Sequence, residues 1–422
     1  ALLRAAESAP DDGEVRIALA RIYLQRSTAA FWGTRDLPQD QRLALAQRWS
    51  EEALKRLGND LGPRASPMDL HVAAVYRALA GNEPETAERL CREGLERFPN
   101  ELGNEEYWIL LALLRRGDEG IEACRKALAM RPHYAWAYFF RAVFRTHKSD
   151  FEGAVEDLSH AIRVDPRFAR AYAVRGTRLS EKGRLPEALS DLDQAVRLDP
   201  EVPEFHFIRG DILRTQGEAD AAIAELSEAV RLYPAYATAF FSRGAAWMDK
   251  GSWAEAIADL SEAIRLRADW ASAYRSRAQA RDRSGDSRGA VEDLTVALRL
   301  QPDDAEFLFA RGNQFWKRKE FDRAAADYTE VVRLDPRHYR AFNQRGIVRY
   351  AQDRLDDAIA DYTEAIRLQP REPQAYFNRG QARDKKGDRE GAKDDFRKAL
   401  EVAPADWPHR GVVERTLENL RP

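Results

Sequence analysis

The stretch DYTEAIRLQP, residues 361–370, is one of eight versions of a single phrase. DLSHAIRVDP ends at Pro166, DLDQAVRLDP at Pro200, ELSEAVRLYP at Pro234 and DLSEAIRLRA at Ala268. DLTVALRLQP ends at Pro302, DYTEVVRLDP at Pro336 and DFRKALEVAP at Pro404. With Pro370 in its place, every version ends at the same interval from the one before, the step from Pro166 to Pro200. A fixed period of this length is the mark of a repeat array. One supersecondary unit is written again and again, and no copy can bury its apolar face without the next.

One copy, PQAYFNRGQARDKKGDREGAKDDFRKALEVAP at 373–404, shows what the unit is. Tyr376, Gly380 and Arg383 fall at helical spacing, Gly387 interrupts, and Ala392, Phe396 and Ala399 resume it. Apolar residues three and four apart trace one face of an α-helix. Pro404 stops the second helix or opens the next turn. The unit therefore reads as helix, tight turn, helix.

Small residues recur with the same period. One row is Ala142, Gly176, Gly210, Gly244, Ala278, Gly312, Gly346 and Gly380; another runs from Ala154 through Ala188 and Ala256 to Ala392. Gly inside a helix costs about 1 kcal/mol against Ala. It is tolerated where helices approach closely, and the Ala row is expected to face it. Leu158, Leu192, Leu226, Leu260, Leu294, Tyr328, Tyr362 and Phe396 supply the large residues of the core.

In this order (aromatic, small residue, Ala, Leu or aromatic, Ala, Pro) the unit resembles the tetratricopeptide repeat, over eight in-phase copies at residues 135–404. The resemblance implies an all-α, right-handed superhelical solenoid with a concave groove that holds protein partners. His206 in an aromatic place, Ala268 for Pro and Val331 for Ala depart from the pattern.

The organisation follows. Residues 1–132 read as degenerate repeats of the same kind with an insertion at 26–41, residues 133–404 as eight consecutive units, and residues 405–422 as a C-terminal capping helix. Upstream helices are expected at 14–25 and 42–58, with Phe31 and Trp32 in the insertion; Cys91 and Cys124 take core places. The opening ALLRAAESAPDD looks like the tail of a second helix, so the chain is expected to be a piece of a longer protein. The unit ending at Pro132 is about two residues short. In the segment 409–420, Val412, Val413 and Leu417 are expected to cover the last unit.

Composition limits the function. The 422 residues carry 67 basic and 70 acidic side chains, a net charge of −3, which argues against a dedicated nucleic-acid binder. Two cysteines in no metal-ligand spacing point to neither a disulfide framework nor a zinc site. No apolar run approaches the length of a membrane span, and a cytoplasmic location is expected. No HExxH, P-loop, GxSxG or GxGxxG motif occurs, so no enzyme is expected within these residues and no cofactor.

Two rows remain. Arg141, Arg175, Arg209, Arg243, Arg277, Arg311, Arg345 and Arg379 each precede the small residue. Each is followed at one constant spacing by an acid: Asp157, Asp191, Glu225, Asp259, Asp293, Asp327, Asp361 and Asp395. Arg243 with Asp259, Arg311 with Asp327 and Arg345 with Asp361 are expected to be structural ion pairs between the two helices of a unit. The resemblance also implies that the first helices line the groove. On them stand Phe139, Phe207, Phe241, Arg275, Phe309, Asn343 and Phe377 at one position, and Met248, Trp316 and Tyr350 two helical turns on. These are the expected peptide-binding residues. Lys and Asn are not placed as the clamp for an acidic chaperone tail requires. The expected function is a non-enzymatic scaffold holding a peptide or protein segment in the groove. The alternative is a regulatory or substrate-recruiting arm of a larger enzyme, such as a kinase, protease or glycosyl transferase. The sequence does not name the partner, and it leaves self-association open.

Overall fold

The computed structural model describes residues 67–80, 83–99 and 103–420. The helices expected at 14–25 and 42–58, the insertion with Phe31 and Trp32, and the opening segment lie outside the described residues. Within them are 21 helices. In the first part of the chain these are α1 (Pro67–Ala80), α2 (Pro84–Arg97), α3 (Glu105–Arg115), α4 (Gly117–Met130), α5 (Ala135–His147), α6 (Phe151–Val164), α7 (Ala169–Glu181), α8 (Leu185–Leu198), α9 (Pro203–Thr215) and α10 (Ala219–Leu232). Then follow α11 (Ala237–Asp249), α12 (Trp253–Leu266), α13 (Ala271–Arg283), α14 (Ser287–Leu300), α15 (Ala305–Lys317), α16 (Phe321–Leu334), α17 (Tyr339–Ala351), α18 (Leu355–Leu368), α19 (Pro373–Lys386), α20 (Arg389–Val402) and α21 (Arg410–Asn419).

The chain divides into two compact units, Ala1–Pro234 and Ala235–Pro422. The division falls inside the run that the sequence reads as uninterrupted. Each unit is an all-α array in which a helix packs against the next, pair upon pair. Consecutive first helices also touch, α5 with α3 and α7 with α9 in one unit, α11 with α13 and α17 with α19 in the other. Among the described residues no two consecutive second helices pack as closely. In these pairs the first helices approach one another more closely than the second helices do.

Local rules fix the unit. Asp199 before Pro200 is extended, φ −147° and ψ 85°, the conformation a following proline ring imposes. Arg267 adopts φ −144° and ψ 87° ahead of Ala268, so packing keeps the stop where the proline is lost. The turn inside each pair from α5 onward has one left-handed residue. Gly251 provides it at φ 76°, while Lys319 and Asp353 hold the same place at φ 60° and 62°.

The close approach at the glycine row involves the large residues of the second helix as well as the Ala row. A Cβ on Gly244 would lie 2.9 Å from Leu260, on Gly312 2.8 Å from the Tyr328 ring, and on Gly380 2.6 Å from Phe396. Glycine thus makes room for the large residue of the second helix and for the Ala row together: a Cβ on Gly176 would lie 2.9 Å from the Ala188 carbonyl and one on Gly210 3.2 Å from that of Ala222. Those large residues are the core: Leu158, Leu192, Leu226, Tyr328 and Phe396 are fully buried. Cys91 and Cys124 are buried too, and burial pushes the pKa of both thiols up to about 12. The short unit has an α3 of 11 residues and a turn consisting of Arg116 alone. At the far end Val413 is buried and Leu417 packs on the last core, but Val412 is exposed and covers nothing.

Candidate functional site

The first helices of the second unit set a row of side chains at one register position. Phe241, Arg275, Phe309, Asn343 and Phe377 occupy it on α11, α13, α15, α17 and α19. Met248, Trp316 and Tyr350 stand two turns further along α11, α15 and α17. Phe241, Met248, Phe309, Trp316, Asn343 and Tyr350 are partly buried, and Arg275 is exposed.

Three of the expected anchors are not on offer to a ligand. Phe139, Phe207 and Phe377 are only 1%, 6% and 6% exposed. The reason lies in the following repeat, at the residue that opens the next first helix. Phe168 there meets Phe139 at 5.1 Å between ring centroids. Trp270 meets Phe241 at 4.5 Å, and His338 meets Phe309 at 4.9 Å. On Phe377 the segment after α20 takes this place: His409 stacks on it at 5.6 Å with Trp407 edge-on at 6.1 Å. The chemistry of the two positions matches along the chain. Ala173 is followed at this spacing by Val202, Arg275 by Asp304 and Asn343 by Glu372. This relation between neighbouring repeats is legible in the sequence and is the signal that single-helix reasoning misses.

Polar contacts fix the neighbours of the exposed rings. The Asn378 amide donates to Asn343 Oδ1 at 3.0 Å, and the Tyr328 hydroxyl to Asn313 Oδ1 at 2.8 Å. Burial, reinforced by the Asp327 charge, pushes the Tyr328 phenol well above its ordinary range, so it stays a donor. Lys317 Nζ reaches Asp282 at 2.7 Å, and Lys385 lies over the Tyr350 ring at 4.9 Å.

The Arg row sits between the helices of each pair. Arg243 donates from Nε and Nη2 to the two oxygens of Asp259, both at 2.7 Å. Arg311 does so to Asp327 at 2.9 and 2.8 Å, and Arg345 to Asp361 at 3.0 and 2.7 Å. The acids are almost fully buried and the arginines mostly so. Two further features go beyond the sequence reading. Arg145, Arg281, Arg349 and Arg383, one turn on, give the acid a second guanidinium. The remaining Nη1 of the first Arg crosses to the preceding repeat, as from Arg277 to Ser261 at 3.0 Å and from Arg379 to Thr363 at 3.0 Å. The Ser or Thr of the repeated phrase is thus the inter-repeat acceptor. Among the described residues no group of three or more His, Cys, Asp or Glu is arranged to hold a metal ion. No described helix is long and apolar enough to cross a membrane.

Comparison with known proteins agrees with the helix-pair geometry. Tetratricopeptide repeat profiles match residues 173–237, 216–273 and 275–339, a TPR repeat profile matches 346–387, and a further tetratricopeptide repeat profile matches 373–406. Together these spans exceed half of the chain. The chain belongs to the tetratricopeptide repeat family. Solved structures similar to it include two described as tetratricopeptide repeat proteins. The C-terminal part of a TPR repeat-containing protein from Cytophaga hutchinsonii is 17% identical, covers 57% of this chain and 98% of that one, and has a TM-score of 0.49. YrrB, described as a TPR protein with an unusual peptide-binding site, is 22% identical over 44% of this chain and 95% of its own, with a TM-score of 0.40. A segment of MamA from Desulfovibrio magneticus RS-1 is 22% identical over 40% of this chain and 96% of its own, with a TM-score of 0.39. A search of curated protein sequences returns no match. Tetratricopeptide repeats are in general protein-interaction modules, and the chain is accordingly a protein-interaction scaffold.

Proposed function

We propose that the second unit holds an extended segment of a partner protein along its first helices, with no catalytic role of its own. The observation that carries this reading is the partial exposure of Phe241, Met248, Phe309, Trp316 and Tyr350 on one helix layer. Equivalent rings such as Phe139 and Phe377 are buried. Partly exposed aromatics and Met, set in rigid helices, supply contact area at low entropic cost and dominate interface energetics. Asn343 and Asn313 stand among them with amides that both donate and accept, as a peptide backbone demands. The Arg–Asp row is read as scaffold, because each guanidinium already meets a carboxylate.

A random peptide display library selected against the whole chain tests this. Wild type is expected to enrich a family of peptides. Their binding should fall at least tenfold with Phe241→Ala/Phe309→Ala, at unchanged helical content by circular dichroism. Trp316→Ala, which removes a ring two turns away from that position, guards against a packing defect and should weaken the same peptides. Enriched peptides that bind all three proteins equally would place the site elsewhere.

A further inference from the structure

The row of first helices in the second unit changes character at α13. Its sequence, ASAYRSRAQARDR, puts Arg275 where α11 and α15 carry Phe241 and Phe309. Arg275 is the sole cation at that position in the eight repeats, and it is exposed. Most other guanidiniums of the first helices lie against carboxylates. Asp304, which the repeat spacing sets opposite Arg275, makes no ion pair with it, and the carboxylates around it have contacts of their own. Asp304, just ahead of the next first helix, caps α15 by accepting from the Phe307 amide at 2.9 Å. Glu306 faces His338 at 3.7 Å, and Asp282 is held by Lys317. An exposed guanidinium in this row, flanked on both sides by apolar rings, is a fork set out for an incoming anion.

Resting on the groove reading above, we infer that the bound segment presents an Asp or Glu side chain to Arg275, between two apolar side chains seated at Phe241/Met248 and at Phe309/Trp316. The spacing follows from helix packing. First helices that pack on one another, as α11 and α13 do, lie about 10 Å apart. A polyproline-type chain rises about 9 Å per three-residue turn and shows the same face every third residue. The apolar, acidic and apolar residues of the ligand therefore fall three apart, in the pattern Φ-x-x-[D/E]-x-x-Φ. A singly charged carboxylate suits the one cation of that row. The contact is charge-assisted and exposed, so it sets which peptide is chosen and weakens with salt.

The selection experiment separates this inference from the groove reading. The library is displayed fused through its C-terminus, so that no free terminal carboxylate competes with a side chain. Wild type is expected to enrich the acidic residue with apolar residues three before and three after. Arg275→Glu is expected to exchange that acid for Lys or Arg while the apolar positions persist. For a peptide selected by wild type, Arg275→Glu should cost more than tenfold in affinity. Arg275 is exposed, so the variant should keep wild-type helicity. Enriched peptides without an acid, or with the same acid on Arg275→Glu, overturn the inference and leave the groove standing. Failure of wild type to enrich any peptide sinks both.

Discussion

The Arg379 guanidinium grips Asp395 with two parallel hydrogen bonds, 2.9 Å from Nε and 2.7 Å from Nη2, and its third nitrogen reaches Thr363 in the preceding repeat. Asp395 is nearly sealed from water and also receives Arg383 at 2.9 Å. One carboxylate thus holds both helices of a pair, while its arginine ties that pair to the previous one.

Asp395→Ala leaves two guanidiniums without their carboxylate. Removing one partner of a buried pair costs about 3–5 kcal/mol. Chemical denaturation of the variant should show a loss of that order. Replacing the pair by apolar residues of similar volume, as in Arg379→Met/Asp395→Leu, should recover part of it, because Arg379 is then no longer left buried alone and only the partly exposed Arg383, which keeps Asp388 at 3.7 Å, loses its carboxylate. A melt of Asp395→Ala that overlays wild type would show the pair to be idle.

Gly346 shows why the small row is small. A Cβ there would lie 2.7 Å from Cε1 of the buried Tyr362. Gly346→Ala would gain about 1 kcal/mol of helix propensity and lose about 1–3 kcal/mol to overpacking. A net destabilisation of up to about 2 kcal/mol is expected from these ranges. The chain contains its own rescue, since Ala142 and Ala278 stand in this place opposite Leu158 and Leu294. Gly346→Ala/Tyr362→Leu should therefore be more stable than Gly346→Ala alone, measured by thermal melting. If the second substitution only adds to the loss, the ring is not the obstacle.

The repeat, its helices and the Arg–acid pairing are legible in the sequence because each is a relation inside one repeat unit. The constant spacing within an antiparallel pair decides that Arg345 meets Asp361. Relations between units are harder to see. Whether Phe241 sees solvent or a neighbour depends on Trp270 in the next repeat, a partner invisible to the periodicity of one helix. Reasoning from one helix alone makes Phe139, Phe207 and Phe377 groove residues, although their surroundings cover them. The division at Pro234 has no mark in the sequence either, since the repeated phrase runs through it in phase.

Lys319 occupies a turn position where Gly251 and Gly387 stand in other repeats, and it adopts the same left-handed backbone at φ 60°. That conformation costs an L-residue with a Cβ roughly 1–2 kcal/mol. Glycine removes the strain but loses more chain entropy on folding. Lys319→Gly is expected to stabilise the chain by up to about 1 kcal/mol. Lys319→Val, whose branched Cβ tolerates the region worst, should destabilise it. Equal melting temperatures for the two variants would show that the turn relaxes around its side chain.

His206 replaces the aromatic residue found at this place in most of the other repeats, and Glu225 replaces the usual Asp. The two departures meet: imidazole Nδ1 lies 2.8 Å from the Glu225 carboxylate and Nε2 lies 3.0 Å from the Pro200 carbonyl. Both ring nitrogens face acceptors, so the ring satisfies them only when doubly protonated. Burial by itself would lower the pKa of His206. The hydrogen bonds to Glu225 and Pro200 outweigh it and raise the pKa above its ordinary value, although Arg209 opposes them. Glu225 behaves inversely: burial would raise its pKa, but the bonds from His206 and Arg209 hold it low. A raised folded-state pKa means that the histidine contributes fully below its unfolded value of about 6.5 and loses the contribution as pH climbs through the folded value. The glutamate contributes above about 4.3 and loses its share as pH falls. Stability from the pair should therefore peak between those values. Thermal melts between about pH 5 and about pH 9, for wild type and His206→Tyr, measure it. The advantage of wild type over the variant should be largest near the acidic end and shrink steadily as pH rises, because the neutral ring leaves one lone pair facing an oxygen. A difference that is flat across the range, or that grows with pH, would mean that His206 is held neutral in the fold.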